Sequence, residues 1–136
     1  MNVKIDTKEK FSVLTPQQPD VSANMTEAME KLADYATKEV PHLVINMSQV
    51  KEISSEPARA LAILQQIFYE RDHSFVICNL QPKVEAVFEK EELIDVMNIT
   101  PTESEAWDIV QMEEIERELM GDFEEPSPLD PPKGED

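Results

Sequence analysis

Ser54-Ser55-Glu56-Pro57 joins two runs of different local character. Before it, Leu43-Val44-Ile45-Asn46-Met47-Ser48 is nearly continuous apolar sequence with β-branched residues, which predicts a buried strand. After it, Ala58 to Tyr69 is the most apolar stretch of the chain and predicts a helix, with Pro57 tolerated in the first turn. A strand feeding a helix through a short polar turn gathers backbone N–H groups and side-chain oxygens at one surface point. α/β proteins commonly place anion sites and switches there. Two hydroxyls followed by a carboxylate make this turn a candidate phosphorylation switch, or one whose charge is built in.

Outward from the turn, the periodicity changes several times. Val3 to Thr7 and Phe11 to Thr15 predict a hairpin across Lys8-Glu9-Lys10. Pro16-Gln17-Gln18-Pro19-Asp20 predicts a loop, because two prolines remove donors and restrict the residues before them. Ser22 or Asn24 then caps a helix to about Lys38, with Met25, Met29, Leu32 and Ala36 on one face. In the helix after Pro57, Ala60, Leu61, Ile63, Leu64, Ile67 and Phe68 cover more than half the circumference, which predicts a central position. Ser74 to Leu80 predicts a strand, Pro82 opens a short helix with Val84, Val87 and Phe88, and a short strand follows near Met97-Asn98-Ile99. Thr102-Glu103-Ser104-Glu105 has capping-box form ahead of a last helix. There Ile109, Met112, Ile115 and Leu119 form the apolar stripe, and Gly121 is a plausible stop.

The predicted order is β-β-α-β-α-β-α-β-α, an α/β layer fold with a mixed sheet and an N-terminal hairpin. Residues 1–120 form one domain of a length that buries a sizeable core. Residues 121–136 are acidic and proline-rich, and are read as a disordered tail that cannot offset its ordering entropy by burial.

A formal net charge of −17 argues against nucleic acid or an anionic membrane as a direct partner and favours basic ones. One cysteine, Cys78, excludes an internal disulfide and fits a reducing cytoplasm. Without an apolar leader or a run of membrane-spanning length, the chain reads as cytoplasmic. Only two glycines occur, Gly121 and Gly134, so no Gly-rich phosphate loop, dinucleotide fingerprint or nucleophile elbow is present.

The remaining chemistry is sparse. His42, His73 and Cys78 lie on separate elements without metal-ligand spacing, so neither a metal nor a cofactor is expected. The histidines read as turn residues and Cys78 as core. Ser54 and Ser55 have no histidine placed to serve as a base, so no catalytic residue is assigned and the chain reads as non-enzymatic. Helix capping is their plain alternative role. Glu56 likewise suits a first helical turn through the helix dipole. Glu89-Lys90-Glu91-Glu92 and Glu113-Glu114-Ile115-Glu116 read as solvated faces, and Trp107 either covers the sheet or anchors a partner.

The element order and linker texts together resemble the STAS family, typified by bacterial anti-sigma factor antagonists. The resemblance covers about residues 1–118. Family members carry a Leu-Asp-Leu-Ser strand, an apolar spacer, then Asp-Ser-Ser-Gly opening the central helix. Here Ile45-Asn46-Met47-Ser48 matches the strand, Val50 and Ile53 the spacer, and Ser54-Ser55-Glu56-Pro57 the switch. Asn79-Leu80-Gln81-Pro82-Lys83-Val84 is similar to the family's Asn-Leu-Ser-Pro-x-Val, and Leu93-Ile94 followed by Ile99 fits its later segment without the glycine. The Gly-x-Leu-Asp loop is altered to Pro16-Gln17-Gln18-Pro19-Asp20.

Aligned without a gap, the family's phosphorylated second serine falls on Glu56, its Asp on Ser54, its first serine on Ser55 and its glycine on Pro57. Phosphoserine carries about −1.5 to −2 charge, so glutamate is a partial mimic. A slip of one residue puts the phosphoacceptor on Ser55 instead, and Ser54 and Ser55 both stand as candidate sites. The resemblance implies signal transduction and transcription regulation by partner switching in a bacterial cytoplasm. It implies a partner-binding surface of Asp20, Ser22, Ser54, Ser55, Glu56, Pro57, Arg59 and Gln81. The implied partner is an anti-sigma factor or GHKL-type serine kinase, with the chain itself a monomer or weak dimer. The alternative is a STAS scaffold subunit of a transporter or larger signalling assembly, independent of phosphorylation.

Overall fold

Two hairpin strands lead the chain, β1 (Val3–Thr7) and β2 (Phe11–Pro16), paired antiparallel as their spacing predicts. A two-residue strand β3 (Asp20–Val21) and a 3₁₀ turn (Ala23–Met25) lead into α1 (Thr26–Ala36). There follow β4 (His42–Asn46), β5 (Glu52–Ile53), α2 (Ser55–Glu70) and β6 (Phe75–Cys78). The chain continues through α3 (Pro82–Lys90), a 3₁₀ turn (Ile94–Val96), β7 (Ile99–Thr100) and α4 (Glu103–Phe123). The computed structural model describes residues 1–123.

The main sheet has the order β1-β2-β4-β6-β7, parallel throughout except for the β1–β2 hairpin. β4 is its central strand, and Leu43, Val44 and Ile45 have no exposed surface. Successive strand residues point to opposite faces, so a run buried throughout must be covered on both. On one face Leu43, Ile45, Phe75 and Ile77 pack with Met29 and Ala33 of α1, Leu61 and Phe68 of α2, and Val84 and Phe88 of α3. On the other, Phe11, Val13, Val44, Val76 and Cys78 lie against Ala106 and Val110 of α4. Each fully buried aliphatic or aromatic side chain in these layers contributes about 1.5–3 kcal/mol.

Several expectations are corrected. β3 and β5 pair parallel as a separate two-stranded sheet, so the expected element order gains two short strands. A pair this short leaves no periodicity to read. Ile63, counted among the apolar positions of α2, is exposed, and the buried set is Pro57, Ala58, Ala60, Leu61 and Phe68. The stripe expected to seat α4 faces solvent at Met112, Ile115 and Leu119. α4 instead docks through the small residues Ala106 and Val110, which allow close approach to the sheet. Trp107 packs edge-on against Phe11 with ring centroids 5.3 Å apart, so it covers the sheet.

Polar groups complete that contact. His42 is the buried first residue of β4, not a turn residue, and its Nε2 lies 3.1 Å from Glu114 Oε2. Ser74 Oγ donates to Glu113 Oε1 at 2.6 Å, and Arg117 donates to Ser74 Oγ at 3.2 Å. Glu113 and Glu114 thus belong to the α4–sheet interface, not to a solvated run. The helix also continues through Gly121 to Phe123, past the domain boundary expected at residue 120. The remainder of the expected disordered tail lies outside the described residues.

The scarcity of glycine shows at two helix ends. α2 closes with His73 N–H donating to Phe68 O and Asp72 N–H to Tyr69 O, and α3 repeats the pattern with Leu93 to Phe88 and Glu92 to Glu89. These are Schellman closures, which place one residue in the left-handed region. Asp72 and Glu92 fill those places, each with φ of 60°.

Candidate functional site

The switch turn sits beyond the carboxyl end of β4, where β5 delivers the chain into α2. Ser54 is the residue before the helix, with φ −81° and ψ 161°, but its side chain makes no capping hydrogen bond. Its backbone N–H donates to Val21 O at 2.9 Å, and its carbonyl accepts from Ala58 N–H at 3.3 Å. Ser55 is the first helical residue, and the two serines are half-buried. Glu56 lies in the first turn and is exposed, where the positive end of the helix favours its charge. Among the described residues it makes no ion pair. Pro57 is buried in the same turn, so the backbone that carries Glu56 is fixed from below.

The β3–β5 ladder joins the proline loop to this turn. Lys51 and Glu52 N–H groups donate to Pro19 O at 2.7 and 3.0 Å, Asp20 is opposite Glu52, and Val21 is opposite Ile53. Val21, Val50 and Ile53 are buried beneath the ladder. Asp20 is thereby held near Ser54 on a backbone whose register is set by hydrogen bonds. Ser22 follows directly, and its hydroxyl donates to Asn24 Oδ1 at 2.6 Å and makes no helix-capping bond. Of the eight expected surface residues, Asp20, Ser22, Ser54, Ser55 and Glu56 are therefore brought together, whereas Pro57 is buried under the turn and supports it instead of lying on the surface.

Arg59 and Gln81 flank that group. Arg59 Nη1 donates to Glu91 Oε1 at 2.7 Å, bridging α2 to the end of α3. The Arg59 guanidinium, then the Ser55 hydroxyl, hold the Glu91 carboxyl below its usual range. Glu91 was hidden in an acidic run, and no spacing ties it to residues so distant in sequence. Gln81 Nε2 donates to Ser48 O at 2.7 Å, fastening the start of α3 to the turn after β4. Asn46, at the end of β4, also orders that turn, accepting from Ser48 N–H at 2.9 Å and donating to Glu103 Oε1 at 3.0 Å. Asn79 turns the chain after β6 with φ of 60°, a conformation asparagine tolerates better than most residues.

The arrangement offers backbone, hydroxyls and the exposed carboxylates of Asp20 and Glu56, neither of which is ion-paired among the described residues, on one surface. Cys78 is fully buried, and burial pushes its thiol up to about 12, so it is a core residue. Among the described residues no group of three or more His, Cys, Asp or Glu side chains is placed to hold a metal ion, and no helix is long and apolar enough to cross a membrane.

A five-stranded mixed sheet with three helices on one face and one on the other, and an exposed turn before the central helix, defines a class. The STAS domain model matches residues 2–106, and the chain belongs to the STAS domain family. No curated protein matches it. Among solved structures, TM1081 of Thermotoga maritima superposes with a TM-score of 0.72 at 18% identity, over 80% of this chain and 94% of that one. A second is the Bacillus anti-sigma factor antagonist SpoIIAA in its unphosphorylated form. It gives 0.65 at 17% identity, over 81% and 96% of the two chains. An RsbS variant from Moorella thermoacetica in which glutamate replaces a serine gives 0.68 at 17% identity, over 86% and 99%. At these identities the likeness concerns the fold, an α/β STAS fold with a mixed sheet and four helices.

Proposed function

We propose that this chain is a non-enzymatic protein-interaction domain of the anti-sigma factor antagonist kind, acting by partner switching. Its docking surface is Asp20 and Ser22 beside the ladder, Ser54, Ser55, Glu56, Arg59 and Gln81. The observation that carries this reading is the exposed, unpaired Glu56 carboxylate in the first turn of α2. It occupies the place where the gapless alignment puts the phosphorylated serine. The serine-to-glutamate RsbS variant is a precedent for a glutamate in this fold, a likeness that supports the reading by chemistry alone. The partner is an anti-sigma factor or a GHKL-type serine kinase in a bacterial cytoplasm. The carboxylate either holds the domain in the undocked state permanently or meets a basic patch on a specialised partner.

The one-residue slip that makes Ser55 the acceptor is less well supported. The Ser55 hydroxyl contributes to holding the Glu91 carboxylate ionised. A phosphate there would set about two further negative charges against that carboxylate and compete with it for Arg59.

The test is capture of partners from the native cytoplasm with the wild-type chain, Glu56→Ser and Glu56→Lys. A kinase-like ATPase whose binding changes with residue 56 supports the reading. An unchanged set of partners across all three overturns it, and recovery of a transporter subunit insensitive to residue 56 supports the scaffold alternative.

A further inference from the structure

The solvent face of α4 carries an apolar stripe that nothing in the described structure covers. Met112, Ile115 and Leu119 are 58%, 54% and 46% exposed, and their i, i+3, i+7 spacing places them on one side of the helix. That side is opposite Ala106 and Val110, which hold α4 to the sheet. The helix therefore has two working faces. The inward one is made of Ala106, Trp107, Ile109 and Val110 with the Glu113, Glu114 and Arg117 contacts, and the outward one holds Met112, Ile115 and Leu119.

The charges around the stripe are of one sign. Asp108, Glu116 and Glu118 are exposed beside it and make no ion pair among the described residues. The neighbouring cations are engaged elsewhere: Lys10 on Glu114, Arg117 on Glu113 and Ser74, and Lys8 on Asp6 and over the Trp107 ring. A second copy packed on this stripe would set two such carboxylate rows together, in a chain of net charge −17. Residues 124–136 carry five carboxylates against one lysine, so the chain's own end is mismatched in the same way.

We propose that the outward face of α4 is a docking site for a basic amphipathic helix of a partner protein. Three aliphatic anchors enter its apolar seam, and Lys or Arg residues flank them to meet Asp108, Glu116 and Glu118. The stripe from Met112 to Leu119 extends about 10 Å along the helix axis, so the contact is a short one and the affinity modest. The site lies on the opposite face of the sheet from α2, so it is independent of the Glu56 surface and of the function assigned there.

The test uses the full chain and a helical 18-residue Leu/Lys peptide with its apolar residues on one face, alongside its Leu/Glu counterpart. Titration should show binding of the Leu/Lys peptide only, weakened by added salt. The exposed substitution Ile115→Ser should weaken it by roughly tenfold, in line with loss of one buried aliphatic side chain. Ile63→Ser, which alters an exposed aliphatic residue on α2, should leave it unchanged. Binding equal for both peptides, absent for both, or unmoved by Ile115→Ser overturns the proposal. Concentration-dependent dimerisation abolished by Ile115→Ser would assign the face to a second copy and overturn it as well.

Discussion

His42 and Glu114 are joined beneath α4, with Nε2 3.1 Å from Oε2 of the carboxylate, while Lys10 Nζ reaches the other oxygen at 2.5 Å. The opposite ring nitrogen, Nδ1, accepts the Ser74 backbone N–H at 2.9 Å. An imidazole that accepts at Nδ1 must carry its proton at Nε2, so it is neutral and donates to Glu114. Protonation at Nδ1 would end the Ser74 bond inside the protein.

This geometry sets a pH dependence. Burial, as the largest cause, lowers the His42 pKa from its ordinary 6.5, and His73 is lowered too, by burial and by the nearby Arg117 and Arg71. Lowered values mean that the unfolded chain binds these protons more readily. Their contribution is complete above about pH 6.5 and is lost as pH falls through the folded values. Urea midpoints of the wild type should decline more on acidification than those of His42→Gln, in which only His73 still titrates. Parallel curves for the two proteins would refute the buried neutral imidazole.

The left-handed closures at Asp72 and Glu92 predict gains in stability. A side chain at φ of 60° costs about 1–2 kcal/mol in steric strain, which glycine avoids and partly returns in backbone entropy. Glu92→Gly should raise the unfolding free energy by about 0.5–1 kcal/mol. Asp72→Gly should raise it less, because aspartate tolerates that conformation. Denaturant titration measures both, and a loss of stability in Glu92→Gly would contradict the assigned closure.

Leu61 and Ile63 are two residues apart on α2, one with no exposed surface and the other 58% exposed. Leu61→Ala should cost about 2–5 kcal/mol, from lost burial plus the cavity left behind. Ile63→Ala should stay within about 0.5 kcal/mol. Chemical denaturation of the pair checks the orientation of α2 directly.

Cys78 should resist modification while the protein is folded. With its thiol pushed to about 12 and no exposed surface, the reactive thiolate is scarce and unreachable at pH 8. Labelling by a thiol reagent should track the unfolded fraction across a denaturant series. Rapid labelling of the native protein would place Cys78 outside the core.

The strands and helices legible in the sequence were those whose side chains have one dominant surroundings. Leu43 to Ile45 read as buried because apolar character continues through both phases of the strand. Half of the Thr102 capping box is formed: Glu105 N–H donates to Thr102 Oγ1 at 3.3 Å, while Glu105 Oε1 accepts from the Thr102 hydroxyl at 3.0 Å in place of the Thr102 backbone N–H. α4 misled because periodicity reports that a helix has an apolar side, not which neighbour that side meets. Ala106 and Val110 win the sheet by allowing close approach, while Met112, Ile115 and Leu119 are left outward. At the candidate site the local run Ser54–Pro57 was legible. The bonds that build the surface around it, Ser54 to Val21, Arg59 to Glu91 and Gln81 to Ser48, were not, since each joins segments far apart in the chain.

The β3–β5 ladder has a consequence for motion. It is two residues long, against five in β4, and can open by local unfolding while the main sheet stays closed. Opening would free the Ser54 amide from Val21 and detach the proline loop from the first turn of α2. Hydrogen exchange at that single amide therefore reports how often the two halves of the docking surface part company. A partner that grips both halves at once would slow that exchange without touching the amide itself.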